Sequence, residues 1–502
     1  VLSSIHELAS RYETSNTQVN QLWKNITWSS YGNFLSIPTD CPQRNERLGW
    51  AGDISVFSRT ATYLADVPQF LRRYLRSMRD VQRTDGRFPD IAPLGGGFGG
   101  LLWGSAGITV PWECYQQYGD TILLSEHYDA MKRYIQYIID NTIETETNLI
   151  VQTRSWGDLC DWLGLEDEKN DKSLVWEAYF IYDLELMAKM ATVLGKVTDA
   201  EWFRELHAAR KDFFNKTYIE PETGKTLFSA FVPEKKGSHI DIQTSYVLPL
   251  AFNIIDEENR NKVIANLAET VRRENTTDRG QQCPSYSLMT GFIGTSWINK
   301  ALSDYGHSDL AYRLLQQTSY PSWLYSIEQG ATTIWERLNS YTRTDGFGGN
   351  NRMNSFNHYS FGAVGAWMYN YSLGIQRDET FPGFKQFVLK PMPDPTGKMT
   401  YARGYYDSMY GRIESGWKVE SGVIRYTFTV PANTTATLYL PTASLRDVRE
   451  KTKPVRKCKG VEFISEGNGE VVLKLLSGSY SFEVKKDYPL AARKRKKYVF
   501  VR

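Results

Sequence analysis

The sequence predicts a mainly α-helical protein, built as an α/α toroid, with an antiparallel β-sandwich at its C-terminal end. Two observations support this prediction. Apolar residues recur at spacings of three and four up to about residue 378, as on one-sided helices, and beyond it they alternate with polar residues, as on half-buried strands. Because 502 residues are too many for one small core, we expect a large domain over residues 1–379 and a smaller one over residues 380–502.

The predicted helices are separated by loops that are rich in glycine, proline and aspartate. Five segments show the helical spacing clearly: 54–82, 125–143, 173–195, 199–218 and 355–375. The loop over residues 88–107 also carries aromatic side chains, and loops at one end of a toroid can build a pocket. No clear sequence repeat supports the toroid, so this prediction depends on the helix pattern alone.

The predicted sandwich covers residues 380–485. Four apolar residues alternate with polar ones in the segment 422–441: Ile424, Tyr426, Phe428 and Val430. The segment 471–484 continues this period of two. The chain then carries a basic run at residues 493–497, which we interpret as a solvated tail.

The overall composition argues against several classes of function. With a net charge of +2, the chain offers no electrostatic basis for binding nucleic acid or an anionic membrane. No apolar run approaches the roughly 20 residues that cross a bilayer, and the first residues do not resemble a signal peptide. Since the chain begins with Val, a removed signal stays compatible with the sequence. A periplasmic or secreted location is therefore favoured over the cytoplasm.

Cysteine usage predicts neither a metal site nor a disulfide framework. The five cysteines are odd in number, and none has a metal-ligand spacing such as Cys-x-x-Cys. Buried free thiols are the expectation for a domain of this size. We accordingly expect no metal and no cofactor.

Aromatic residues point to carbohydrate binding in the helical part. They make up 14% of the chain, and every tryptophan except Trp417 precedes residue 380. Sugars present flat C–H faces that stack on aromatic rings. The densest polar cluster, residues 37–53, adds groups that suit a polyol: the carboxylates of Asp40, Glu46 and Asp53, the guanidinium of Arg44 and the indole of Trp50. If two carboxylates lie close together, the pKa of one rises toward the range that a general acid needs. On spacing alone, a solvated and salt-bridged loop stays an open alternative.

Two further segments carry candidate groups. In residues 321–340, Glu328 and Glu336 lie among tryptophans and a tyrosine, which is typical of carboxylates in sugar enzymes. In residues 354–362, His358 precedes a predicted apolar helix, where it either contacts substrate or caps and packs the helix. Local sequence does not choose between these interpretations, nor between the two glutamates.

Three motifs resemble, in order, signature segments of the bacterial α-L-rhamnosidases, glycoside hydrolase family 78: DCPQRNERLGWAGD at 40–53, GATTIWER at 330–337 and NSFNHYSFG at 354–362. The resemblance continues through residues 101–120, 290–295 and 399–422 and so extends over nearly the whole chain. It implies an (α/α)6 barrel followed by a β-sandwich. It also implies that terminal α-L-rhamnose is hydrolysed with inversion from a rhamnose-containing glycan or glycoside.

The resemblance assigns roles to particular residues. Glu46 matches the general acid, and Glu336 matches the general base that activates water. Other positions match residues that contact the sugar or form the pocket wall: Asp40, Arg44, Trp50, Asp53, Trp103 and His358. In the segment 155–164, either Trp156 or Trp162 takes the corresponding position in the wall.

Four residues depart from the family pattern: Asn45, Ser105, Leu338 and Asn339. They leave both glutamates in place but put the subsite preference and the rate in doubt. Three alternatives stay open: another (α/α)-barrel glycosidase or glycan phosphorylase, a non-catalytic carbohydrate-binding relative, and a structural module of a larger assembly. The sequence predicts neither the aglycone nor the linkage nor the oligomeric state.

Overall fold

Helices make up about half of the chain before residue 373. The computed structural model describes residues 2–97, 100–152, 159–348, 354–450 and 453–485. The α-helices are α1 (Thr17–Asn33), α2 (Ala51–Leu64), α3 (Pro68–Asp80), α4 (Ala106–Tyr118), α5 (Thr121–Thr142), α6 (Lys172–Val193), α7 (Val197–Tyr218), α8 (Gln243–Ala251), α9 (Glu257–Arg272), α10 (Phe292–Asp304), α11 (Ser308–Leu315), α12 (Trp323–Glu328) and α13 (Gly365–Trp367). The last lies within a longer helical stretch, residues 360–372, that begins as a 3-10 helix and ends as a π-helix.

Helices that are buried on most sides alternate along the chain with helices that bury one face. The helix α6 buries 17 of its 22 residues, whereas the next helix, α7, buries 6 of 22. A helix that is buried all round belongs to the core of a large protein. We call α2, α4, α6, α8 and α10 the core helices. Each contacts the next core helix along the chain, and the stretch 360–372 contacts both α10 and α2.

The helix predictions are confirmed for three segments and need correction for two. The segments 125–143, 173–195 and 199–218 form α5, α6 and α7 within a few residues. The segment 54–82 forms two helices, because Pro68 lacks an amide hydrogen and keeps the preceding Val67 out of the helical conformation. The segment 355–375 becomes helical only at residue 360 and is irregular there.

The strands lie mainly after residue 374. They are β1 (Ser10–Thr14), β2 (Phe34–Leu35), β3 (Ile37–Pro38), β4 (Asn275–Thr276), β5 (Gln282–Cys283), β6 (Ile375–Arg377), β7 (Gln386–Leu389), β8 (Tyr401–Ser408), β9 (Gly411–Glu420), β10 (Val423–Val430), β11 (Thr435–Leu440), β12 (Val448–Glu450), β13 (Lys453–Pro454), β14 (Val461–Gly467), β15 (Glu470–Leu475) and β16 (Gly478–Lys485).

Two larger sheets form the C-terminal region. The seven-stranded sheet has the order β1-β8-β9-β10-β16-β12-β13, and all its pairs are antiparallel. The five-stranded sheet has the order β14-β15-β11-β7-β6, and its pair β7–β11 is parallel, which corrects the prediction of a purely antiparallel region. Both β1 and β6 precede residue 380, so each sheet recruits a strand from before that position.

The sheets and the helices share one continuous core. The four alternating apolar residues of β10 are all buried, as their period of two predicts. Trp417 on β9 donates its indole hydrogen to the carbonyl oxygen of Ser372 at 2.8 Å, and Arg377 on β6 donates to Glu113 on α4 at 2.6 Å. These hydrogen bonds join both sheets to the helical part.

Within the described ranges, no helix is both long and apolar enough to pass through a bilayer. All five cysteines are free, as predicted, and all except Cys458 are buried.

Candidate active site

The predicted site residues line one cavity of about 220 Å³. Nine of them do so: Asp40, Arg44, Glu46, Trp50, Asp53, Trp103, Trp162, Glu336 and His358. Trp156 lies outside the described residues. The lining also contains Leu159 and Phe292, which were not among the residues predicted from the sequence. A larger groove of about 750 Å³, next to α11 and the sheets, contains none of these residues.

The cavity lies at the N-terminal ends of core helices. Trp50 is the N-cap residue of α2, and Asp53 lies in its first turn. Trp103 comes shortly before α4, Phe292 is the first residue of α10, and His358 precedes the helical stretch 360–372. Helix N-termini carry partial positive charge and free amide hydrogens, which favour a carboxylate-rich site.

The side chain of Arg44 links the two glutamates that the motifs single out. Its Nε donates to Oε2 of Glu46 at 2.8 Å, and its Nη1 donates to Oε2 of Glu336 at 3.1 Å. Glu336 is only 2% exposed, and its Oε2 also accepts from the amide of Ser355 at 3.1 Å. The guanidinium therefore compensates the charge of the buried Glu336 carboxylate and holds both glutamates at the wall of one cavity.

Glu46 accepts a hydrogen bond on each of its carboxyl oxygens. Oε2 binds Arg44, and Oε1 accepts from Nε1 of Trp50 at 2.6 Å. The indole of Trp50 therefore orients the glutamate as well as forming part of the cavity wall.

Asp53 and His358 form a second, deeper pair. Nε2 of His358 lies 2.6 Å from Oδ1 of Asp53, which also accepts from Oγ of Ser360 at 2.5 Å. Burial lowers the pKa of His358, but the charge and hydrogen bond of Asp53 outweigh this effect and raise it to about 9. His358 therefore holds a proton on each ring nitrogen at neutral pH. Its Nδ1 has no hydrogen-bond partner among the described residues, which leaves this donor available to a ligand.

Asp40 is a buried carboxyl group beside these charges. It is 1% exposed, accepts from the amide of Leu48 at 3.1 Å and from the thiol of Cys41 at 2.9 Å, and lies 3.6 Å from Arg44. Burial raises the pKa of Asp40 to about 6, with further contributions from the negative charges of Asp53 and Glu46. This carboxyl group titrates close to neutrality.

One group of donors could in principle hold a metal ion. Oxygen or sulfur atoms of Asp40, Cys41 and Glu46 lie within 4.8 Å of one another. The Arg44 cation contacts both carboxylates of this group, and the Cys41 thiol keeps its proton because burial and the nearby Asp40 charge raise its pKa. An arginine in contact with the carboxylates, together with a protonated thiol, is a poor environment for a cation.

The indole of Trp103 packs directly on the first turn of α2. A Cβ atom at Gly52 would overlap the Trp103 ring, so only glycine allows this approach. On another side, the ring of Phe292 lies 5.3 Å from that of His358. The cavity therefore has an aromatic wall next to its charged groups.

The structure separates the two glutamates of the second motif. Glu336 faces the cavity, whereas Glu328 accepts from Gln18 of α1 at 3.0 Å and does not line the cavity. The four residues that depart from the family pattern do not line it either. Asn45 and Asn339 are exposed, Leu338 is buried, and Ser105 donates to the buried Asp183 at 2.6 Å.

The cavity brings carboxylates, an arginine and tryptophans together in a helical domain, which is the kind of lining that suits a carbohydrate. Residues 7–372 match the bacterial alpha-L-rhamnosidase 6 hairpin glycosidase domain, and residues 374–454 match the bacterial alpha-L-rhamnosidase C-terminal domain. The chain thus belongs to the bacterial α-L-rhamnosidases of glycoside hydrolase family 78.

Several curated relatives are similar over nearly the whole chain. An alpha-L-rhamnosidase of Streptomyces avermitilis is 37% identical over 94% of this chain and 42% of its own length, and one of Formosa agariphila is 33% identical over 94% and 48%. The crystal structure of the Streptomyces avermitilis enzyme with L-rhamnose superposes with a TM-score of 0.82 at 36% identity, covering 95% of this chain and 42% of that one. An alpha-L-rhamnosidase from Aspergillus terreus gives 0.80 at 30% identity, covering 96% and 51%. The chain spans about half the length of these relatives or less.

Proposed function

We propose that the chain hydrolyses terminal α-L-rhamnosides with inversion at the anomeric carbon, with Glu46 as general acid and Glu336 as general base. The observation that carries this proposal is that both glutamates bind one arginine on the wall of a single cavity. They come from loops 290 positions apart in the sequence, so they can approach a sugar from different sides. The rhamnose bound to the Streptomyces avermitilis relative supports the choice of sugar.

In the proposed reaction, Glu46 gives its proton to the glycosidic oxygen as the bond from that oxygen to the anomeric carbon breaks. Glu336 takes a proton from the water that forms the new bond on the opposite face. Arg44 contacts both side chains, so it compensates the negative charge that lies on Glu336 before the transfer and on Glu46 after it. Glu46 ends as a carboxylate, in the hydrogen-bonded arrangement described above.

The remaining lining groups suit the sugar itself. Asp40, Asp53 and the Nδ1 hydrogen of His358 would bind ring hydroxyls, while the tryptophans, Leu159 and Phe292 would contact the C–H faces and the C5 methyl group. A 6-deoxy sugar has fewer hydroxyls than a hexose, so a mixed polar and apolar cavity matches it.

We further infer that the helical part is an (α/α)6 barrel, with the domain boundary near residue 379. Support comes from the alternation of core helices and one-sided helices, and from the contacts of residues 360–372 with both α10 and α2. Together with that stretch, the core helices would make six inner helices. The cavity at their N-terminal ends is then the mouth of the barrel.

A panel of aryl glycosides tests the proposal. We expect turnover of an aryl α-L-rhamnoside, no turnover of the α-glucoside and no dependence on phosphate, with β-L-rhamnose as the first product seen by NMR. Glucoside cleavage would indicate another barrel glycosidase, and a phosphate requirement would indicate a phosphorylase. Calorimetric binding of rhamnose without turnover would indicate a carbohydrate-binding relative.

A further inference from the structure

The apolar wall of the cavity depends on a short segment whose side chains point in two directions. Leu159 and Trp162, from the segment 159–164, line the cavity. Asp161, between them, does not line it and is 1% exposed. Its Oδ2 accepts from Oγ1 of Thr244 at 2.5 Å and from the amide of Gly291 at 2.8 Å, and its Oδ1 accepts from the amide of Gly294 at 2.9 Å.

The two amides belong to the N-terminal end of α10, a helix of 13 residues. Its N-cap residue is Gly291, which has no side chain to bind the free amides of the first turn. Asp161 supplies the missing acceptor from a position 130 residues earlier, and its negative charge lies at the positive end of the helix. Asp161 therefore acts as a helix cap that comes from another segment.

This cap also fixes the relative position of two cavity residues. The amide of Phe292 donates to the carbonyl oxygen of Trp162 at 3.0 Å. A Cβ atom at Gly291 would overlap the carbonyl oxygens of Asp161 and Trp162, so the segment lies directly on the helix end. Because Phe292 also contacts the ring of His358, a shift of the segment would move the wall relative to the sugar-binding groups.

We propose that Asp161 is a positioning residue, which clamps the segment 159–164 onto the N-terminus of α10 and thereby sets the wall formed by Trp162 and Phe292. Its influence on substrate binding rests on the function proposed above. The attachment of the segment 159–164 to α10 depends only on hydrogen bonds, so its strength can be measured without enzymatic turnover.

Hydrogen exchange followed by mass spectrometry tests the clamp. In Asp161→Asn, an amide N–H2 would face backbone N–H donors, so we expect exchange to be at least about tenfold faster in peptides covering 159–165 and 290–295. Asp171→Asn is a matched control, since Asp171 is also buried and accepts from Ser173 at the start of α6 and from Ser229. It should loosen the start of α6 and leave 290–295 unchanged. If Asp161→Asn does not fold, Thr244→Val removes one of the three donors and should loosen the same peptides to a smaller extent.

A double-mutant cycle with Trp162→Ala tests the effect on binding. We expect Asp161→Asn to raise KM for an aryl α-L-rhamnoside about tenfold with kcat within about threefold, and to change KM by less than about twofold when Trp162 is already alanine. Unchanged exchange at 290–295, or an equal rise in KM in both backgrounds, would overturn the proposal. If the wild-type protein does not cleave the rhamnoside, the proposed function fails, whereas the exchange pattern still decides the clamp.

Discussion

Two charge clusters, one in the loops that form the cavity and one between α2, α4 and the sheets, differ in how completely their charges are paired. In the cavity, Arg44 forms salt bridges with both Glu46 and Glu336. Where α2 and α4 meet the sheets, two arginines serve one carboxylate, since Arg59 and Arg377 both donate to Glu113 at 2.6–3.2 Å. The cavity holds four carboxyl groups, those of Asp40, Glu46, Asp53 and Glu336, against the two cations Arg44 and His358. In the second cluster, which we call the junction cluster, two cations contact one carboxylate.

The pKa values in the two clusters follow this difference in charge pairing. Burial raises the pKa of Asp40 to about 6, and no cation fully offsets it. Burial also acts to raise the pKa of Glu113, but Arg377 and Arg59 outweigh it and lower that pKa to about 2. Groups that titrate near neutrality favour proton transfer and ligand binding, and groups held far from it favour stability. The comparison indicates that charge balance distinguishes the cluster proposed to act on substrate from the cluster that stabilises the fold.

The strongest test of the comparison is Glu336→Gln. Glu336 is the proposed base, and an amide cannot accept a proton from water. We therefore expect kcat on an aryl α-L-rhamnoside to fall by at least about a thousandfold. Glu328→Gln is the matched control, as Glu328 is hydrogen-bonded to Gln18 away from the cavity, and its kcat should stay within about twofold. Equal losses in the two variants would show that the base is wrongly assigned.

Glu46→Gln should discriminate between substrates by their leaving groups. We expect kcat to fall by several orders of magnitude on natural rhamnosides, whose leaving oxygen needs a proton, and far less on an aryl rhamnoside with an activated leaving group. Steady-state kinetics on both substrates measures the difference. A similar loss on both would contradict the role of Glu46 as the acid and leave its contacts with Arg44 and Trp50 as purely structural.

Glu113→Gln in the junction cluster should reduce stability and leave kcat of the folded enzyme unchanged. Removing one partner of a buried ion pair typically costs about 3–5 kcal/mol, because the remaining charges stay buried without compensation. Denaturant unfolding measures this loss. The exposed pair of Glu13 and Arg403 provides the control, and Glu13→Gln should cost much less. A large fall in kcat for Glu113→Gln would break the separation between the two clusters.

The contribution of the junction cluster to the free energy of unfolding depends on pH. Glu113 has a pKa of about 2 in the folded protein and about 4.5 in the unfolded chain, so the unfolded chain binds more protons between these values. Its stabilising effect is therefore complete above pH 4.5 and is lost as the pH falls toward 2. Glu113→Gln should flatten this part of the curve of unfolding free energy against pH.

The polar half of the cavity could be predicted from sequence because its groups lie in short motifs with a chemical signature. Asp40, Glu46 and Asp53 fall within fourteen residues, and Glu336 and His358 lie in two further motifs. The pairing of Asp53 with His358, 305 positions apart, could not be predicted, because it depends on how the helices close. The family resemblance assigned both residues to one site but did not indicate that they contact each other.

The apolar half of the cavity was predicted less completely. Leu159 and Phe292 look like ordinary core residues in sequence, and the only available signal was that each lies in or next to a segment with a motif. The sequence also predicted one helix too few over residues 54–82, because Pro68 divides one apolar pattern into α2 and α3. The strand β1 is five residues long and joins the sheet by backbone pairing with β8, which no local pattern shows.

The smallest expected effect, and the sharpest measure of charge balance in the cavity, is the pH dependence of KM. Asp40 carries its charge above about pH 6 and loses it below, because burial first, and then Asp53 and Glu46, raise its pKa. A carboxylate accepts hydrogen bonds from sugar hydroxyls better than a carboxylic acid does, so KM for an α-L-rhamnoside should rise severalfold between pH 7 and pH 5. His358, with a pKa of about 9, keeps its charge over this range and so does not contribute to the change. In Asp40→Asn, KM should already be high at pH 7 and should stay nearly constant down to pH 5. If Asp40→Asn keeps the wild-type dependence of KM on pH, a group other than Asp40 causes that dependence. The incomplete charge pairing in the cavity then does not control binding through Asp40.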